Sequence, residues 1–107
     1  DVIVVAPCTG NSLGKIASAI TDTPVTMAVK AHLRNLKPVV IAVSTNDGLS
    51  ANAKNLGLLL NAKNIYFVPF GQDDPMKKCN SLIADFKQIA PTIEEAVKGR
   101  QIQPLLL

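Results

Sequence analysis

The sequence predicts an α/β fold of three layers: a parallel sheet with helices on both faces. Three observations carry this. Short apolar, β-branched runs (Val2–Val5, Val39–Val43, Ile65–Val68) alternate with segments of helical spacing, the order that builds parallel sheets. The run Pro38-Val39-Val40-Ile41-Ala42-Val43 is apolar at every position, which suits a central strand covered on both sides. Each run ends in a turn rich in Gly, Asn, Ser, Thr or Asp, and open α/β sheets bind ligands outside the carboxyl ends of their strands. The arrangement is that of a flavodoxin- or Rossmann-like sheet. Its 107 residues suffice for one small domain. Asp1–Ala6 reads as an interior strand of a larger sheet, and the chain has neither G-x-G-x-x-G nor G-x-x-x-x-G-K-[ST]. Residues 1–107 are therefore expected to be the C-terminal part of a longer single domain, with a complete small α/β domain as the alternative.

Taken in order, the first strand ends at Ala6-Pro7-Cys8-Thr9-Gly10-Asn11-Ser12. Pro7 cannot continue a ladder, Gly10 permits a tight turn, and Asn11 or Ser12 can cap the helix that follows. Leu13, Ile16, Ala17 and Ile20 form the apolar stripe of that helix, expected to run to Thr21. Asp22 or Thr23 caps the next, with Pro24 at its first position. Val25, Val29, Leu33 and Leu36 should face the core. His32, the single histidine, lies near that helix's C-terminus and is expected at the surface, where the dipole favours it.

The second strand leads to Ser44-Thr45-Asn46-Asp47-Gly48, expected beside the first strand-end turn in space. Asn46 is either a turn residue or a substrate contact, and the two roles are compatible. Leu49–Asn61 is a helix candidate capped by Asp47 or Ser50. Its Asn52, Asn55 and Asn61 are explained most simply by exposure, with a cluster at a polar site the alternative. Ile65–Pro69 is the third strand. The loop from Phe70 to Asn80 carries Asp73, Asp74, Lys77 and Lys78, which fit a solvated turn, a substrate lid or a docking surface. Asn80-Ser81 should open a helix with Leu82, Ile83, Phe86 and Ile89 inward, and Pro91-Thr92 a last one closed by Gly99. The apolar tail Gln101–Leu107 should pack on the body or on another subunit.

Composition excludes several functions. Net charge is only +3, and with one Tyr, three Phe and no Trp there is no basic-aromatic surface for single-stranded nucleic acid. No apolar run approaches a membrane span. Cys8 and Cys79 lack metal-site spacing, and reduced thiols are the expected state, with a disulfide the alternative. No metal site is expected, and no carboxylate dyad stands out.

Pro7-Cys8-Thr9-Gly10-Asn11-Ser12 resembles the Pro-Ala-Ser-Ala-Asn-Thr motif of the flavoprotein family that includes the FMN-containing cysteine decarboxylases and the flavin prenyltransferases. The similarity continues through Lys15-Ile16-Ala17, Ile20, Asp22 and the second strand, and covers the chain to about Gln103. Asn46 matches the Asn of the decarboxylases' Pro-x-Met-Asn, but Thr45 replaces the Met. The prenyltransferases' Arg-Glu pair is absent. Val43–Asp47 and Phe70–Pro75 look most like a member that is a subunit of an oxidoreductase.

The resemblance implies an FMN whose phosphate loop lies outside this chain, with Pro7, Cys8, Thr9, Gly10 and Asn11 near the flavin. It implies Asn11 and Asn46 as the reactive-site asparagines. Asp73, Asp74, Lys77 and Lys78 become a substrate or partner loop, serving a small dicarboxylate and a nicotinamide-binding partner subunit. It further implies a homo-oligomer in the cytoplasm of a sporulating mother cell. The runner-up activity is decarboxylation of a phosphopantothenoylcysteine-type substrate, and a scaffold role for the partner subunit is the non-enzymatic alternative.

Overall fold

The computed structural model describes all of residues 1–107. The elements run β1 (Ile3–Cys8), α1 (Gly10–Ala17), α2 (Pro24–Arg34), β2 (Val39–Thr45), α3 (Ala53–Leu60), β3 (Ile65–Phe67), β4 (Phe70–Gln72), β5 (Leu82–Ala84), a 3₁₀ turn (Phe86–Gln88) and α4 (Ile89–Ala96). β2 is the central strand, parallel to β1 with Val4 opposite Val40, and to β3 with Val40 opposite Tyr66. Val39 to Val43 are all 0% exposed. Successive side chains of a strand point to opposite faces, so both faces of the sheet are covered. α1 packs on α2 and α3, while α4 packs on β2 and β3. The three layers expected from the sequence are present.

The sheet is not wholly parallel, which corrects the expectation. β3 stops at Phe67, so the carboxyl end of β2 has a free edge at Ser44 and Thr45. β5 fills it antiparallel, with Thr45 opposite Leu82, and β4 pairs antiparallel with β5. Unpaired backbone groups in a buried place are costly, and this pairing satisfies them. Leu82–Ala84 is therefore strand and not helix. Leu82 and Ala84 are buried, whereas Ile83 and Phe86 are exposed. One helix, α4, then starts at Ile89 with Pro91 in its first turn, where a missing N–H costs nothing.

The other corrections are local. β1 runs through Pro7: its ladder to β2 breaks after Val5 and resumes at Cys8 opposite Val43. Within residues 1–107 it pairs only with β2, and Ala6 and Pro7 are exposed, which leaves its other edge open to a further strand of a larger sheet. α1 begins earlier than expected and is capped by Thr9, whose hydroxyl accepts from the Ser12 N–H at 3.5 Å. Neither Asn11 nor Ser12 is the cap. Thr23 caps α2 in a reciprocal pair with Thr26, and Pro24 opens the helix. Asp22 instead pairs with Lys15 at 3.0 Å. Of the residues expected inward on α2, Val29 is buried and Leu33 half-buried, but Val25 and Leu36 are exposed, and Thr26 takes the inward place. His32 is half-buried rather than at the surface, and its Nε2 has no partner. The segment before α3 is a series of turns, and Asn52 occupies the N-cap position without a capping bond.

The tail packs on the body. The Gln101 side chain accepts from the Phe67 N–H at 2.8 Å and donates to the Phe67 carbonyl at 2.7 Å, acting as a strand residue beside β3. Leu105 and Leu107 exchange backbone bonds with Phe70, though Leu106 and Leu107 keep their side chains exposed.

Candidate functional site

The carboxyl ends of β1 and β2 meet the turn before β5 in an open cavity of about 340 Å³. Thr9, Gly10, Ser44, Thr45, Asn46, Asp73, Ser81, Leu82 and Ile83 line it. Three segments distant in sequence thus converge on one place. A larger hollow of about 610 Å³, lined by Leu60, Asn64, Tyr66 and Gln103 among others, lies along β3 and includes no residue of the β1 or β2 carboxyl ends. Ligand chemistry in such folds belongs to the carboxyl ends, so the smaller cavity is the candidate.

Behind Thr45 runs a polar chain. The Thr45 hydroxyl donates to Asp47 Oδ1 at 2.5 Å, Asn52 Nδ2 donates to the same oxygen at 2.9 Å, and Asn55 Nδ2 donates to Asn52 Oδ1 at 2.9 Å. These bonds hold the Asp47 carboxyl below the usual carboxylate range, the Thr45 bond most strongly. Gly10 lies directly against this chain. A Cβ there would stand 2.6 Å from Thr45 Oγ1 and 2.7 Å from Asn52 Nδ2. Glycine is therefore required by the close approach of α1 to the β2 end, not by a turn. Gly48 likewise sits against Leu82, 2.6 Å from where its Cβ would be, which presses the same turn onto β5. Ser81 adds a bond from its hydroxyl to the Thr45 carbonyl at 3.3 Å.

Of the residues singled out from sequence, Thr9, Gly10, Asn46 and Asp73 line the cavity. Asn11 is exposed on the first turn of α1, beside the cavity but outside its lining, and Pro7 is exposed on β1. Cys8 is fully buried, and burial pushes its thiol up to about 12, so it is a packing residue without thiolate chemistry at neutral pH. Asp74 folds its own turn, accepting the Lys77 N–H on its carboxylate at 3.2 Å and the Lys78 N–H on its carbonyl at 2.7 Å. Lys77 and Lys78 are exposed and outside the lining. Asp47 and Ser81 were not singled out as site residues from sequence, and Asn52 and Asn55, for which a polar cluster was the lesser reading, do join one. The repeated asparagines of residues 52–61 were the available signal, and Asn52 is buried, not exposed.

A flavoprotein family profile matches residues 1–98. The chain belongs to the flavoprotein family. This flavoprotein segment is 53% identical, over all of its 107 residues, to the B subunit of dipicolinate synthase from Bacillus subtilis (strain 168). It matches the crystal structure of the dipicolinate synthase B subunit from Bacillus halodurans C with a TM-score of 0.98 and 54% identity, covering 99% of this chain. In both cases it spans 54% of the relative's length.

The cavity can be tested against the flavin the family implies. Its lining offers hydroxyls, an amide and apolar Leu82 and Ile83, which suit the uncharged ring system of a flavin. No Lys or Arg lines it, and its one ionisable side chain is the acid Asp73. The residues present fit the ring system. No three His, Cys, Asp or Glu side chains gather into a metal-binding group, and no helix is long and apolar enough to cross a membrane.

Proposed function

We propose that this flavoprotein segment is the ring-binding part of a dipicolinate synthase B subunit. It contributes to the oxidation of a dihydrodipicolinate-type precursor to dipicolinate in the cytoplasm of a sporulating mother cell. The observation that carries the reading is the 53% identity, over the whole of this chain, to the Bacillus subtilis protein of that name. The cofactor is FMN, which when bound supplies a hydride acceptor. Thr9, Gly10 and Thr45 would hold its ring, and Asn11 and Asn46 would hydrogen-bond flavin or substrate. The backbone of Pro7 and Cys8 supports that wall. The FMN phosphate and its loop lie outside residues 1–107.

The substrate is a small dicarboxylate, and its charge needs cations that the cavity lining lacks. Lys77 and Lys78 follow Asp73 and Asp74 in the turn at the cavity's rim, and they serve the substrate or the A subunit, the partner with its own nicotinamide-binding fold. The protein works as a homo-oligomer with that partner.

The test is to purify the full-length protein and assay it with the A subunit. A flavin absorbance band, together with dipicolinate formation that requires both subunits, is the expected result. A colourless protein that still raises the partner's activity would establish a scaffold instead. Carbon dioxide release from a cysteine-ended pantothenoyl substrate would establish the decarboxylase.

A further inference from the structure

Asn46 is exposed and its side chain makes no hydrogen bond within the chain, yet the residues around it are fixed. Thr45 is bonded to Asp47 through its hydroxyl and to Ser81 through its carbonyl. The Asp47 N–H also reaches back to Thr45 Oγ1 at 3.4 Å. The Asp47 carbonyl accepts the Ser50 and Asn52 N–H groups at 3.1 and 3.0 Å. Gly48 is buried against Leu82, and the Leu49 N–H bonds the Asn80 carbonyl at 3.0 Å. One free amide thus stands on a turn tied to the start of α3 and to the segment entering β5, with Gly10 of α1 packed against it. The group common to most of these ties is Asp47: one carboxylate oxygen receives both Thr45 and buried Asn52.

We infer that Asp47 is a positioning residue, whose carboxylate locks the turn after β2 so that Asn46 projects its amide into the strand-end cavity at a fixed place. Asp47 itself is not in the cavity lining and acts through its neighbour. A side chain held by its supporting contacts binds with less ordering cost than one on a loose turn. The claim deepens the ring-binding reading above, because it concerns how that cavity is shaped.

The variants Asp47→Ala, Asp47→Asn and Asn46→Ala, and the Asn46→Ala/Asp47→Ala double, are to be made in the full-length protein. Two readouts are followed: hydrogen exchange of amides 45–48 without ligand, and FMN affinity by calorimetry. Asn at 47 keeps one acceptor oxygen for Thr45 and Asn52. Asp47→Asn should therefore stay within about threefold of the native protein in both readouts, while Asp47→Ala should speed exchange and weaken FMN by roughly tenfold or more, as unmet buried polar groups do. The double variant should bind FMN no more weakly than Asn46→Ala alone, since residues acting as one unit are not additive. Additive losses would overturn the proposal, because Asp47 would then act independently of Asn46. So would an Asp47→Ala protein with native exchange and native affinity. If the native full-length protein binds no FMN, the ring-binding reading fails, and the exchange comparison alone decides whether Asp47 holds the turn.

Discussion

At the residue scale, Gly10 shows how a motif can be legible while its reason is not. The sequence marks it as a turn glycine, yet it lies in the first turn of α1 and is required because Thr45, Asp47 and Asn52 press against it. That demand comes from residues more than thirty positions away, which no local pattern reveals. Gly10→Ala should therefore destabilise the full-length protein by about 1–3 kcal/mol, the usual cost of overpacking, measured as a lower urea midpoint with the slope unchanged. A native midpoint would mean that the polar chain yields to the methyl.

Asp47 carries a pH consequence with a definite sign. Its folded-state value lies below the ordinary 3.8. Its stabilisation is therefore fully present well above pH 3.8 and is lost as pH falls through the lowered folded value. Acid unfolding of Asp47→Asn should have a shallower dependence on pH below 3.8 than the native protein, and identical acid profiles would count against it. The two cysteines differ in the same legible way only once burial is known. Cys79 is exposed and Cys8 is not, so iodoacetamide at pH 8 should label Cys79 and leave Cys8 unmodified in the native state, read by mass spectrometry.

At the scale of elements, the sequence was most legible where local chemistry decides. The unbroken apolar run of β2, the Thr23-Pro24 start of α2 and the Gly99 stop, at φ +77°, are settled by burial, capping and backbone freedom. It misled where pairing decides. Leu82, Ile83, Phe86 and Ile89 have helical spacing, but residues 82–84 meet two strands, β2 and β4, whose edges need them. Tertiary pairing overrode the period. The two readings differ in energy at neighbouring positions. In the strand, Leu82 is buried and Ile83 is 41% exposed. Leu82→Ala should cost about 2–5 kcal/mol and Ile83→Ala less than about 1 kcal/mol in urea unfolding. Equal large losses would restore the helical pattern, in which both face inward.

At the scale of the whole molecule, the convergence of strand-end loops was legible, because parallel sheets gather their carboxyl ends in one place. The charge of that place was not. Asp73 lines the cavity and no cation does, although the proposed dicarboxylate substrate demands positive charge. Lys77 and Lys78 are the nearest cations in sequence, and the structure gives them no fold to maintain. They are exposed, they make no ion pair, and the turn that carries them is built by Asp74 and by Gln72, whose amide donates to the Cys79 carbonyl at 2.9 Å. Replacing both lysines with Ala in the full-length protein should leave the thermal midpoint nearly unchanged, since exposed charges contribute little to stability. On the proposed function, dipicolinate formation with the A subunit should nevertheless fall. A raised substrate requirement with native assembly would put the ammonium groups on the substrate's carboxylates, and weaker co-purification with a native substrate requirement would put them on the partner. Wild-type kinetics together with wild-type assembly would make the turn a solvated connection between β4 and β5, and the cations for a dicarboxylate would then have to come from outside residues 1–107.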